Sequence, residues 1–285
     1  MSGHSRRMRL LMLGGTEFVG RAVAESALAR GRRVTVLHGD RTARGGLAAL
    51  ARGEWDAVVD TWTGAPSAVR DVTRLLSWSG RAGHCAYVSS RSVYAAPVPA
   101  GLPETGPVVD ASADDGDVDY ARAERGGELA ASAAFGDRAL LVRAGLILGP
   151  GENVGRLPWW LLRTARGGQV PAPGPHGLPL QYIDVRELAE WLLDAAVRGL
   201  GGACNVVSPP GHTTLGELLE TCVRVTGGGA ELRRLDPESV LAAGAEPWTG
   251  CRSGCRRART TPLCTRGTSP RPWRPGCGAG PCPTR

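Results

Sequence analysis

Leu10 to Leu13 form an apolar run that opens directly into Gly14-Gly15-Thr16-Glu17-Phe18-Val19-Gly20 and then into a helical-looking stretch, Arg21 to Arg30. A second apolar run, Val34 to His38, follows. Strand, glycine turn, helix and strand make a β-α-β unit, which commits the chain to parallel strands joined by helices. Gly14 and Gly15 permit a tight turn and a close approach of backbone to a pyrophosphate, and Gly20 lets helix and sheet pack closely. The helix N-terminus then offers unpaired amides and a positive dipole end to phosphate oxygens. Thr16, Phe18 and Val19 complete the turn, while Glu17 stands where a glycine is common and is expected to point away from the phosphates.

Further short apolar runs recur at Ala57 to Thr61, His84 to Ser89, Leu140 to Arg143 and Cys204 to Val207, as buried parallel strands should. Helical patterns lie between and after them, at Ala65 to Ser77, Tyr120 to Ala134, Trp159 to Arg166, Val185 to Arg198 and Leu215 to Thr226. This alternation predicts an α/β fold with a doubly wound parallel sheet. Pro97 to Asp119 is polar and rich in Pro, Asp and Gly, and reads as a long loop that borders a site. We expect a nucleotide-binding core over 8–150, a small C-terminal substrate-side portion sharing that core over 151–250, and a separate tail over 251–285.

The formal charge of +7 invites a nucleic-acid reading, but residues 251–285 hold eight arginines and no acid, so the chain before them carries −1. That balance gives no electrostatic footprint for RNA or DNA. The same tail holds five of the eight cysteines; Cys85, Cys204 and Cys222 are widely spaced, read as buried small apolar residues, and suit a reducing cytoplasm. No run approaches the ~18 apolar residues of a membrane span, so no membrane partner is expected. His38, His84, His176 and His212 have no metal-ligand spacing, and no metal is expected.

The strand over His84 to Ser89 ends in Ser89-Ser90-Arg91-Ser92-Val93-Tyr94, and Tyr120 opens a helix thirty residues after Ser90. With the Gly14 to Gly20 turn, the Leu148-Gly149-Pro150-Gly151 loop and Ile183-Asp184-Val185, these residues give a chain that resembles the extended, partly atypical branch of the short-chain dehydrogenases/reductases, the NAD-dependent epimerase/dehydratases. The resemblance spans roughly residues 8–250. It implies a Rossmann fold, a bound NAD or NADP, and a small carbonyl or alcohol as substrate. Ser90 would hold the substrate oxygen, Tyr120 would pass its proton, and Ser89 would face the cofactor. A homodimer is compatible with it.

One position departs from the family. A lysine four residues after the tyrosine lowers the phenol pKa in the family and holds the nicotinamide ribose; here that residue is Glu124. A spacing of four puts both side chains on one helix face. A free phenol titrates near ~10, and a carboxylate at ~5–6 Å in a medium of effective dielectric ~20 disfavours the phenolate by ~3 kcal/mol. Arg122 and Arg125 lie on other parts of the helix surface, and the whole chain contains no lysine. The expectation is therefore a bound cofactor with impaired turnover, the alternative being a non-catalytic dinucleotide-binding sensor or interaction protein.

Strand two should end at the adenosine ribose, where an acid favours NAD and an arginine favours the extra phosphate of NADP. His38-Gly39-Asp40-Arg41 offers both, and the choice leans slightly to NAD. By the resemblance, Asp60 and Thr61 lie near the adenosine, with Trp62 following. Asp184, followed by Val185-Arg186-Glu187, reads as a helix N-cap with a capping box rather than as a catalytic acid. Trp159, Trp160, Trp191 and Gln181 suggest a partly aromatic substrate side.

After Gly250 the chain breaks into Arg, Cys, Pro and Thr without periodicity. Codons compatible with this segment, read one base out of frame, allow apolar phrases of the kind expected at a family C-terminus. The reading is a frameshift near codon 250, which the nucleotide sequence decides, and a tail expected to be disordered.

Overall fold

The computed structural model describes residues 8–34, 37–96, 98–99, 101–236 and 238. The elements run β1 (Leu10–Leu13), α1 (Phe18–Ala29), β2 (Ala57–Asp60), α2 (Pro66–Trp78), β3 (Cys85–Ser90), α3 (Tyr120–Phe135), β4 (Ala139–Ala144), β5 (Leu146–Leu148) and α4 (Arg156–Ala165). They continue as β6 (Gly168–Pro173), β7 (Pro179–Leu180), β8 (Tyr182–Asp184), α5 (Val185–Arg198), β9 (Gly202–Val206), β10 (Thr213–Thr214), α6 (Leu215–Thr226) and β11 (Ala230–Leu235).

Five strands form one parallel sheet in the order β1-β2-β3-β4-β9. Helices cover both faces, so the sheet is doubly wound as expected. Val23 and Ala27 of α1 meet Leu188, Leu192 and Leu193 of α5 on one face, and Val69, Val72 and Leu76 of α2 meet Ala130, Ala131 and Phe135 of α3 on the other. Each fully buried leucine here contributes on the order of 1.5–3 kcal/mol. β3 and β4 are buried along nearly their whole length, which is why both read as continuous apolar runs.

The expected strand at Val34 to His38 is not formed by its described residues, Val34, Leu37 and His38; Thr35 and Val36 lie outside them. Residues 41–54 hold turns and a short 3-10 segment, Ala48–Ala51, rather than another strand. The tail over 251–285, with its expected disorder and its five cysteines, also lies outside the described residues.

Beyond residue 150, α5 and β9 belong to the main sheet, whereas α4 packs on α6 and three two-stranded pairs, β6 with β11, β7 with β10 and β5 with β8, build the smaller part. The sequence patterns gave no sign of these short strands. Helix ends follow the local chemistry. Asp119 caps α3 by accepting from the Arg122 amide, Thr214 and Glu217 make a capping box on α6, and Gly199 and Gly227 close α5 and α6 in the left-handed region. Asp184 does cap α5, through the Arg186 amide at 2.8 Å, but the expected box with Glu187 is absent: the Arg186 guanidinium occupies the Asp184 carboxylate instead. This holds the Asp184 pKa below its ordinary value.

Candidate active site

The glycine turn sits at the C-terminal end of β1, where ligands bind in open α/β sheets. Gly14 has φ +80°, and a Cβ on Gly20 would collide with the Gly14 carbonyl, so the turn needs both glycines. α1 begins with no side chain spent on its first amides, unlike α3, α5 and α6. Those amides remain available to phosphate oxygens. Glu17 is exposed, and its carboxylate accepts from Asn153 Nδ2 at 3.1 Å in the loop after β5. Phe18, at φ +27°, carries the backbone strain of the turn.

On the adenosine side, Asp60 and Arg41 form a two-pronged ion pair at 2.8 Å for both contacts, with Asp60 fully buried. Arg41 also lies 4.9 Å from the centre of the Trp62 ring. Thr61 Oγ1 donates to the Leu13 carbonyl at 3.1 Å, tying β2 to the glycine turn. Asp40 accepts from the Thr42 amide and hydroxyl, which lowers its pKa. Arg41 and Arg44 border a pocket of about 500 Å³ closed by Thr42, Leu47 and Asp71.

Ser90 ends β3 and Tyr120 begins α3, and the two come together closely enough for Ser90 to lower the Tyr120 pKa. Tyr120 is 52% exposed as a residue, but its hydroxyl faces inward to Ser90 and to Glu124. Burial of that oxygen raises its pKa above the ordinary phenol value, and the Glu124 charge raises it further. Ser90 and Arg156 act the other way. Arg156, at the start of α4, is the cation nearest in effect to the phenol and was not singled out from sequence. Arg122 and Arg125, by contrast, turn to Asp115 and Glu128.

Glu124 is 1% exposed. Burial pushes its pKa well above the carboxylate range; Tyr87 and Tyr120 oppose the shift, and the nearby Glu128 adds to it. The Tyr87 hydroxyl is 2.9 Å from the Trp62 carbonyl, which can only accept, and 3.4 Å from Glu124 Oε2. A phenol has one proton to give. The phenol shares that proton unequally, donating mainly to the Trp62 carbonyl and only weakly to Glu124 Oε2 at the longer distance. Glu124 Oε1 is buried with no hydrogen-bond partner.

α3 can bring its acids this close because Gly127 faces Tyr87, where a Cβ would strike the ring. One turn after Glu124, Glu128 accepts from Ser89 Oγ at 3.0 Å, from Arg143 Nε and Nη2 at 2.8 and 2.9 Å, and from Arg125 Nη1 at 2.8 Å. Ser89 is thus held from below by Glu128. The sequence reading missed Glu128, Arg143 and Gly127, although the spacing of four between Glu124 and Glu128 was there to be read. Trp191 packs against the core of the main sheet, and Gln181 donates to the Ser208 carbonyl at 2.7 Å; both serve packing. Trp159 and Trp160 meet edge to face at the start of α4. Among the described residues no group of His, Cys, Asp and Glu could hold a metal, and no helix is long and apolar enough to cross a membrane.

The fold has many counterparts among solved structures. dTDP-4-dehydrorhamnose reductase from Clostridium acetobutylicum superposes with a TM-score of 0.67 at 14% identity, covering 81% of this chain and 85% of its own. The chain carries the fold of the extended short-chain dehydrogenases/reductases. A human epimerase family protein bound to NADPH superposes with a TM-score of 0.63 at 24% identity over 82% of this chain and 85% of that one. A dTDP-glucose 4,6-dehydratase from Streptomyces venezuelae, bound to NAD, gives 0.63 at 19% identity over 80% and 84%. No family model matches the sequence, and no curated protein matches it.

Proposed function

We propose that this chain is a short-chain dehydrogenase/reductase-type protein that binds NAD or NADP beyond the C-terminal ends of β1, β2 and β3 and acts as a reductase or epimerase on a small carbonyl or alcohol. The observation that carries the reading is the meeting of Ser90 and Tyr120 at the end of β3, beside a glycine turn whose helix amides are unspent. The turn fits the cofactor, because those amides offer donors to a pyrophosphate, while Glu124, at the sequence position of the family lysine, is buried. A nicotinamide bound there supplies or accepts a hydride. Ser90 then orients the substrate oxygen, and Tyr120 gives or takes its proton.

Glu124 leaves the phenol without the positive charge that would ready it for proton transfer and raises its pKa instead, so turnover is slow. The same observation favours a second reading, a non-catalytic dinucleotide-binding sensor. Cys85 and Cys222 are buried free thiols as expected, but Cys204 is disulfide-bonded, against the expectation of three free thiols, so the cysteines do not argue for a reducing cytoplasm. The deciding experiment titrates the full chain with NADH and NADPH, following nicotinamide fluorescence, and repeats it with Gly20→Val. Saturable binding lost in the variant is expected, and no binding by the wild type would sink both readings. Oxidation of bound NAD(P)H with a panel of small carbonyls then separates enzyme from sensor.

A further inference from the structure

Arg91 follows Ser90 directly and is 7% exposed, yet its Nε, Nη1 and Nη2 are all buried without a hydrogen-bond partner. Guanidinium stays charged at any pH a protein meets, so burial cannot be relieved by loss of a proton. A buried cation without a counter-charge is costly, and native structures leave such groups unpaired only for a reason. The one compensation present is the Tyr94 ring, whose centre is 5.0 Å from the Arg91 guanidinium carbon.

The surroundings do not supply the missing anion. Tyr94 lies over a row crossing the ends of three strands, where Ser89 pairs in register with Arg143 and Arg143 with Asn205. Arg143 sits 4.8 Å from the other side of this contact set, also against the Tyr94 ring, and the Tyr94 hydroxyl donates to Asn205 Oδ1 at 2.8 Å. Of the carboxyl groups on these elements, Glu128 is taken up by Arg143 and Arg125, Glu104 accepts from the Asn205 amide, and Glu124 Oε2 meets Tyr87. Two guanidinium groups therefore share Glu128, and among the described residues no carboxylate bonds Arg91.

We propose that Arg91 is the receptor for an anionic group of the substrate, a carboxylate or a phosphate, carried next to the oxygen that Ser90 holds. This rests on the assignment of Ser90 to the substrate site and narrows the substrate to an acid or phosphorylated carbonyl or alcohol. Arg91 offers a forked set of donors suited to either anion. The neighbouring loop folds back on this strand end through bonds from the Ala95 amide to Pro107 and from the Val109 amide to Val93, at 2.9 and 2.8 Å.

The test measures binding of pyruvate and, separately, of inorganic phosphate to the full chain by calorimetry, with Arg91→Gln, Arg91→Met and Arg224→Ala. Arg224 is an exposed guanidinium on α6 and serves as the control for anions held by surface charge. Saturable binding of at least one probe, weakened tenfold or more by Arg91→Gln and unchanged by Arg224→Ala, is expected; the probe that binds identifies carboxylate or phosphate. Arg91→Met should melt higher than the wild type without anions and gain nothing from them. Neither probe binding to the wild type, equal binding to Arg91→Gln, or a loss of melting temperature in Arg91→Met with the anion response intact would overturn the proposal. These readouts need no cofactor, so a failure to bind NAD(P)H is a separate result.

Discussion

The Glu124 carboxyl is buried one helical turn from Tyr120 and pushes the Tyr120 pKa up from inside the protein. Read from sequence, this pair is a charge repulsion of ~3 kcal/mol at an effective dielectric of ~20. Burial weakens that repulsion, because a carboxyl whose own pKa is raised carries less charge against the phenolate. What the site still lacks near neutrality is a positive charge. Glu124→Lys should therefore lower the Tyr120 pKa, visible in the ultraviolet titration of tyrosinate, and raise NAD(P)H turnover on an accepted carbonyl by at least about tenfold, the low end of what a positioned proton-transfer group contributes. An unmoved tyrosine titration would refute this account of the pair.

The same protonation has a signature in stability. An acid whose pKa is raised on folding binds more protons folded than unfolded, so stability falls as pH rises from the unfolded value near ~4.3 up to the folded value. The loss within that window is about 1.4 kcal/mol per pH unit for one proton. Glu124→Gln keeps the shape and removes the titration. Urea unfolding at a series of pH values should show the variant gaining on the wild type as pH climbs above that lower limit, and parallel curves would mean that Glu124 is ionised in the fold.

Glu128 is an acid of the opposite kind, with both oxygens paired to Ser89, Arg143 and Arg125. Its removal strands Arg143, which is 4% exposed. Breaking one side of a buried ion pair costs about 3–5 kcal/mol. Glu128→Gln should lower the urea midpoint accordingly, whereas Glu128→Leu combined with Arg143→Met should recover most of the loss. If the double variant is as unstable as the single one, stranded charge is not the cause.

Much of this could be read in the chain beforehand, and the reasons are physical. β1, α3, α5 and α6 were legible because they combine an apolar period with a cap or a terminal glycine, as in Leu215 to Thr226 ahead of Gly227. The pairs β6 with β11 and β7 with β10 were not, since two to six residues of Gly, Gln, Pro and Thr carry no alternation and are held by their partners. The order glycine turn, Ser90, Tyr120 was readable as a motif. The protonation of Glu124, the isolation of Arg91 and the approach of Arg156 depend on burial, which no spacing in the sequence specifies.

The cofactor's adenosine end supplies the last prediction. From sequence, Asp40 and Arg41 competed to choose between NAD and NADP. In the fold neither is fully available: Asp40 is engaged by Thr42, and Arg41 by the buried Asp60. Arg44, exposed on the rim of the same 500 Å³ pocket, is the guanidinium left to meet a 2′-phosphate. A charged hydrogen bond of this kind is worth about 1.5–3 kcal/mol, and exposure puts Arg44 at the lower end. Arg44→Ala should weaken NADPH binding by about tenfold and leave NADH unchanged, and raising the salt should weaken wild-type binding of NADPH more than that of NADH. Equal losses for the two cofactors in fluorescence titrations would remove Arg44 from the choice and return it to Asp40, whose second carboxylate oxygen could still take a ribose hydroxyl.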